Sequence, residues 1–302
     1  MVTGRHFAML LLMAFSFGGF TLSGSSVQTI SKDQMQGAVF EDDLSVPCPG
    51  EVFAALNKAC RPNWATLVTP ATAPMTSDRS QLALAVGVLA ANGYVAVEAQ
   101  DGQQVKNVGR EIMSVAKSLG VSQSLLGRGN SLIEFADNNA WDALADELEA
   151  TENEVKTTMV EQKDRDLVTL TSSAAWLRGL EIATAVVLSK ESLQGAEILH
   201  QPALARHLAS QLSVLPERMK KGVLVKDTAG ALESTAALLE TPATGPQEKE
   251  NIRKIHDSAS AMVKAILASP SKDYDGVKPV SSPNSNVHSP VGSNPPSTQP
   301  KP

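Results

Sequence analysis

Apolar positions recur at helical spacing through most of the chain. Leu82, Ala85, Val86 and Leu89 begin one such series, with Asp78 placed as its N-cap. Val105, Val108, Ile112, Val115 and Leu119 form the cleanest stripe, and Gly120 stands where a left-handed C-cap falls. Trp141, Leu144, Leu148, Val155 and Met159 follow a heptad-like spacing, with a soft spot at Thr151 and Glu152. Leu224, Val225, Leu232, Ala236 and Leu239 mark a further stripe, and Ile252, Ile255, Ala259, Met262, Val263 and Ile266 mark the last. Pro202 and Pro216 cut residues 192–221 into short helices. Asn92 and Gly93 interrupt the first series, and residues 94–99 alternate as a short strand would. No second strand signal exists to pair with them, so a continued or restarted helix is the preferred reading.

Residues 167–188 depart from this amphipathic pattern. They form the longest weakly charged apolar run outside the N-terminal segment, and they are expected to be the central helix on which the others lay their apolar faces. A run of this length can span a bilayer. Arg178 and Glu181 near its middle would each cost about 2.5–3.5 kcal/mol there. Thr169, Thr171, Ser172, Ser173 and Thr184 weaken a span further, so a buried helix of a soluble bundle is expected. Arg178 and Glu181 are three residues apart and can pair on one helix face. They make either an ion pair where two helices meet or the polar floor of a small pocket.

These elements predict an all-α fold, an irregular multi-helix bundle with solenoid-like stacking as a variant, although no repeat of fixed period recurs. Composition agrees: aromatics are only 4%, which suits close-packed Ala- and Leu-rich helices better than a β-sandwich. Residues 1–26 read as a signal peptide, with Arg5, an uncharged apolar core and a small polar end. Residues 27–77 read as an extended arm carrying one short helix, and 78–268 as the helical domain. Residues 269–302 are dense in Pro, Ser and Asn and read as a disordered tail. The expected location is therefore periplasmic or secreted, with no membrane span in the mature chain.

Charge and candidate chemistry narrow the function. The net charge is −6 and Lys220-Lys221 is the only basic pair that stands out, which disfavours nucleic acid as a partner. In an oxidising compartment Cys48 and Cys60 are by default a disulfide. A helix over 51–59 opposes it, because it would hold them roughly 14–18 Å apart where a bridge needs about 7 Å. The bond forms only if that helix ends early and Pro62 turns the chain back. Residues 127–131 (GRGNS) lack the GK[ST] of a phosphate loop and read as a helix stop followed by a cap.

Glu197-x-x-His200 resembles one half of a di-iron site, but Arg253 stands where the second half would place Glu relative to His256, and Pro202 separates His200 from His207. No metal or cofactor is therefore expected. Glu98 stands in an apolar stretch with Asn107 and Arg110 on the next helix, a second candidate pocket. No nucleophile elbow or catalytic cysteine context occurs. The expected function is non-enzymatic: a protein-interaction or scaffold module of the cell envelope with an unknown protein partner. The alternative is a periplasmic small-molecule-binding protein whose pocket uses Glu98, Asn107, Arg110, Arg178 or Glu181.

Overall fold

A computed structural model describes residues 46–70, 72–121 and 125–269. The expected signal segment lies outside the described residues, and of the expected C-terminal tail only Ser269 is described. Among the described residues all regular structure is helical. α1 is Pro49–Cys60, followed by a single 3-10 turn at Trp64–Thr66. α2 is Arg79–Glu98, α3 Gly102–Leu119, α4 Leu126–Asp137, α5 Trp141–Glu161 and α6 Arg165–Leu188. Two short pieces, α7 (Ala196–Leu199) and α9 (Glu217–Lys220), flank α8 (Pro202–Ser213). α10 (Val223–Glu240) and α11 (Pro246–Leu267) complete the set.

The core is built on two helices rather than one. α6 is buried on nearly every side, as its unstriped apolar sequence requires. α2 is its equal: every residue from 81 to 97 is buried. The two run parallel. Thr171 Oγ1 donates to the Ala83 carbonyl at 3.0 Å near one end, and Arg178 Nε donates to Asn92 Oδ1 at 2.8 Å further along. α2 is also long and apolar enough to cross a membrane by length and composition; 94% of that apolar window is buried inside the fold.

The interruption expected at Asn92-Gly93 does not occur, because tertiary contacts outweigh the roughly 1 kcal/mol propensity cost of a mid-helix glycine. Asn92 is used by Arg178, and Gly93 lets Leu148 of α5 pack close, where an added Cβ would lie 3.0 Å from Leu148 Cδ2. Residues 94–99 accordingly finish α2 and are not a strand.

The remaining helices cover this pair. α3 and α5 lie on α2, with α4 between them, while α8, α10 and α11 gather on α6. Asp78 caps α2 by accepting from the Ser80 and Gln81 amides, and Gly120 ends α3 at φ 82°. Pro202 opens α8 and Pro216 caps α9, so both prolines sit where their missing N–H costs nothing. The described part of the stretch read as an arm, residues 46–70 and 72–77, is tied into the body. Phe53, Leu56, Cys60 and Trp64 are core residues. The extended run after the 3-10 turn is pinned by Glu111 Oε2 on the Ala73 amide (2.8 Å) and by Ser269 Oγ on the Met75 amide (3.0 Å).

Candidate functional site

Arg178 joins three elements from inside the core. At 4% exposure its guanidinium donates three ways: to Glu181 Oε2 at 2.5 Å, to Asn92 Oδ1 at 2.8 Å and to Thr69 Oγ1 at 2.9 Å. One buried cation thus joins α6 to α2 and to the extended run. Glu181 is buried as well, and its backbone carbonyl lies 3.2 Å from Nδ1 of His256 on α11, a nitrogen also 3.2 Å from Thr184 Oγ1. The fork geometry of Arg suits such a junction, and every oxygen it meets accepts.

The second candidate pocket divides in two. Glu98 Oε2 accepts from Asn57 Nδ2 of α1 at 2.5 Å, and Asn57 in turn accepts from Trp64 Nε1 at 2.7 Å. Glu98 therefore pins α1 and the 3-10 turn to the end of α2. Asn107 and Arg110 belong to another chain of bonds: Arg110 donates to Asn107, Asn107 to Gln104 Oε1 (3.2 Å) and Gln104 to the Thr69 carbonyl (3.4 Å). Thr69 is the residue that Arg178 holds through its hydroxyl. Four of the five candidates, Asn107, Arg110, Arg178 and Glu181, are thus linked through Gln104 and Thr69 as a brace across the extended run.

Cys48 and Cys60 are both free thiols. The bridge that the compartment favours by default fails on distance, as the helix reading required: α1 runs unbroken from Pro49 to Cys60, which sets the two cysteines about 18 Å apart at helical rise. Cys60 Sγ donates to the Gln194 carbonyl at 3.3 Å, against Gly195, where a Cβ would fall 2.6 Å from the sulfur and φ is 90°. Cys48 opens α1, with its amide donating to Glu51 Oε2 at 3.0 Å. Burial, reinforced by the negative charge of Glu152, pushes its thiol up to about 12. Such a thiol is protonated at neutral pH and a poor nucleophile there. A thiol-reactive dye added to the folded protein near neutral pH is expected to label neither cysteine rapidly, and both after unfolding. Rapid labelling in the folded state would contradict this burial.

Around Cys48 lies a polar corner whose one trace in the sequence is the soft spot at Thr151 and Glu152. Tyr94 is buried, with its hydroxyl 3.5 Å from Glu152 Oε2. Glu152 is buried too, and its Oε1 lies 2.8 Å from Lys156 Nζ without a well-directed hydrogen bond. Burial and then the charge on Glu152 push the Tyr94 hydroxyl up, so it stays protonated. Burial also raises the Glu51 carboxyl; the Cys48 amide opposes this, and Glu149 and Glu152 add to it.

Because the folded pKa of Glu51 is raised, the native state binds its proton more tightly than the unfolded chain does. The stability it contributes is full below the unfolded pKa and is lost as pH rises through the folded one. Taking the melting temperature from pH 7 down to about 4.5, the wild type should gain relative to Glu51→Gln. A difference independent of pH would contradict the raised value.

Two surface depressions among the described residues have room for a side chain. One, about 230 Å³, is lined by Arg79, Ser80, Asp164, Asp166, Leu167, Arg218 and Met219, with Arg79 already paired to Asp164 at 2.6 Å. The other, about 160 Å³, lies between α7, the end of α10 and the start of α11. Its walls include Leu199, Leu238, Leu239, Ile252 and Ile255, and His200 and Glu248 add its polar edge. His200 leaves the helix at ψ 70°, so Glu197 and His200 do not share a regular helical face. Among the described residues no group of three or more His, Cys, Asp or Glu is placed to hold a metal ion. No family model, curated protein or solved structure matches the chain.

Proposed function

We propose that this chain is a non-enzymatic, exported module of the cell envelope that works by protein contact, receiving an apolar side chain of its partner in the groove between α7, α10 and α11. The observation that carries the reading is the size and lining of that groove. Pockets that enclose a small organic ligand are typically about 300–1,000 Å³. A groove of about 160 Å³, with Leu238 and Leu239 on one wall and His200, Thr241, Glu248 and Asn251 among its polar lining, holds one or two side chains instead. The polar groups that would orient a small ligand near Arg178 and Glu98 are engaged with one another or with neighbouring elements as internal braces.

A photo-crosslinking amino acid at position 239, inside the groove, tests this in cells that make the protein. One discrete protein adduct is expected, lost when the half-buried Ala243 at the groove is changed to Arg and absent when the probe sits at the exposed position 117 on α3. Equal crosslinking from both positions would reject the groove as the contact. A small organic molecule retained by the purified protein in native mass spectrometry, with no protein adduct, would replace this reading with small-molecule binding.

A further inference from the structure

The turn that joins α8 to α10 differs from the rest of this acidic protein. α8 and α10 are antiparallel neighbours, tied by Arg206 of α8 to Glu233 (2.9 Å) and Glu240 (2.5 Å) of α10. The end of α8 and the start of α10 therefore lie at one end of the hairpin. Two large apolar side chains stand in solvent there: Val214 just after α8 and Val223 at the first position of α10, each 72% exposed. Leu215, Met219 and Val225 beside them are buried and fix the turn to the body.

The same fifteen residues, 213–227, hold four cations, Arg218, Lys220, Lys221 and Lys226, against two acids, Glu217 and Asp227. Lys220 pairs with Glu217 at 2.7 Å. Among the described residues no acid forms an ion pair with Arg218, Lys221 or Lys226, all exposed. Arg218 lines the depression that it shares with Asp164 and Asp166, which leaves Lys221 and Lys226 as the exposed cations of the same turn as the two projecting valines, a combination of charge and apolar exposure that fits one environment. The apolar groups enter the boundary between headgroups and acyl chains, and the cations meet the anionic headgroups. A fluid surface needs no matching contour, whereas a stable protein partner needs roughly 800 Å² of complementary surface on each side.

We propose that the α8–α10 turn is a membrane-surface contact, which seats Val214 and Val223 in the interface of a bilayer containing anionic phospholipid. Either signal alone gives weak binding, and the two together hold the protein at the surface reversibly. This contact does not depend on the groove between α7, α10 and α11, and it can fail or hold independently of it.

The test uses the full chain carrying Ser213→Cys labelled with an environment-sensitive dye, both valines kept. The label reports this turn itself, whatever other segment touches lipid. Vesicles of phosphatidylcholine containing about one third phosphatidylglycerol should raise and blue-shift the emission, and pure phosphatidylcholine should not. Val214→Asp with Val223→Asp, and separately Lys221→Glu with Lys226→Glu, should each weaken the response at least about tenfold while leaving thermal unfolding unchanged. A dye at Lys117→Cys should stay silent.

Absence of a response from the dye at 213 with anionic vesicles would overturn the proposal, and so would an equal response to pure phosphatidylcholine. A response lost only in the charge variant would overturn it too, since adsorption by charge alone is what any acidic surface, an acidic protein included, would produce.

Discussion

Gly87→Ala should be the most damaging single-methyl change in this protein. A Cβ at that position would lie 2.1 Å from the Thr171 carbonyl oxygen and 2.7 Å from the Ala175 amide nitrogen. Both are backbone atoms of α6, so no side chain can swing aside to make room. Either the methyl is not accommodated or α2 and α6 move apart, and these are the two helices on which the core is built. Moving them also strains the Thr171 hydrogen bond to the Ala83 carbonyl and the Arg178 bond to Asn92.

In an open helix the same change would stabilise by about 0.5–1 kcal/mol through the backbone. Overpacking of a core costs about 1–3 kcal/mol and occasionally more. With backbone on the far side of the clash, a net loss of about 3 kcal/mol is expected, a fall in melting temperature of about 6–12 °C. Gly109 on α3 supplies the control, because nothing lies within 4 Å of its Cβ position. Gly109→Ala should raise the melting temperature by about 2 °C. Equal behaviour of the two variants in thermal unfolding would show that α2 and α6 do not approach so closely.

Arg178→Met is the second large effect. It leaves the Glu181 carboxylate buried without its cation and removes the donor from Asn92 and Thr69. Breaking a buried pair from one side costs about 3–5 kcal/mol, most of it the desolvation of the stranded charge. Arg178→Met with Glu181→Leu should recover most of that loss, because an apolar replacement of both partners is often neutral or better. Denaturant unfolding of the two single variants and the double variant gives the coupling directly. A double variant no more stable than Arg178→Met would mean that the cost lies in the Thr69 and Asn92 contacts and not in the ion pair.

How much of this was legible depends on how far apart in sequence the contacting residues are. The striped helices could be read because one face of each meets water: Val105 to Leu119 make α3, and the Gly120 stop follows from a local backbone need. α2 was read only in part. A helix buried on all sides carries no stripe, and Asn92-Gly93 looked like a break when no neighbour was known to use it.

The pairing of Arg178 with Glu181 follows from a spacing of three residues. That Asn92 and Thr69 complete the same junction does not, since they come from 86 and 109 residues away. Glu98 found Asn57 instead of Asn107 or Arg110 for the same reason. The soft spot at Thr151 and Glu152 was a visible signal of the polar corner near Cys48. A polar pair replacing apolar residues in a buried stripe is a lapse in the pattern only until the facing Tyr94 is known.

The parallel arrangement of α2 and α6 sets the order in which the molecule can assemble. Parallel neighbours cannot be joined by a tight turn, and the bonded pairs between them are 86 and 88 residues apart. Closing so long a loop has an entropic cost that precedes any reward, so this docking is the high-contact-order step and should limit the refolding rate. The locally connected α3, α4 and α5 can form earlier, as a scaffold with its centre unfilled. A nascent chain that ends before residue 165 has no α6 to cover α2, and its most apolar helix is then open to aggregation or to the nearest bilayer.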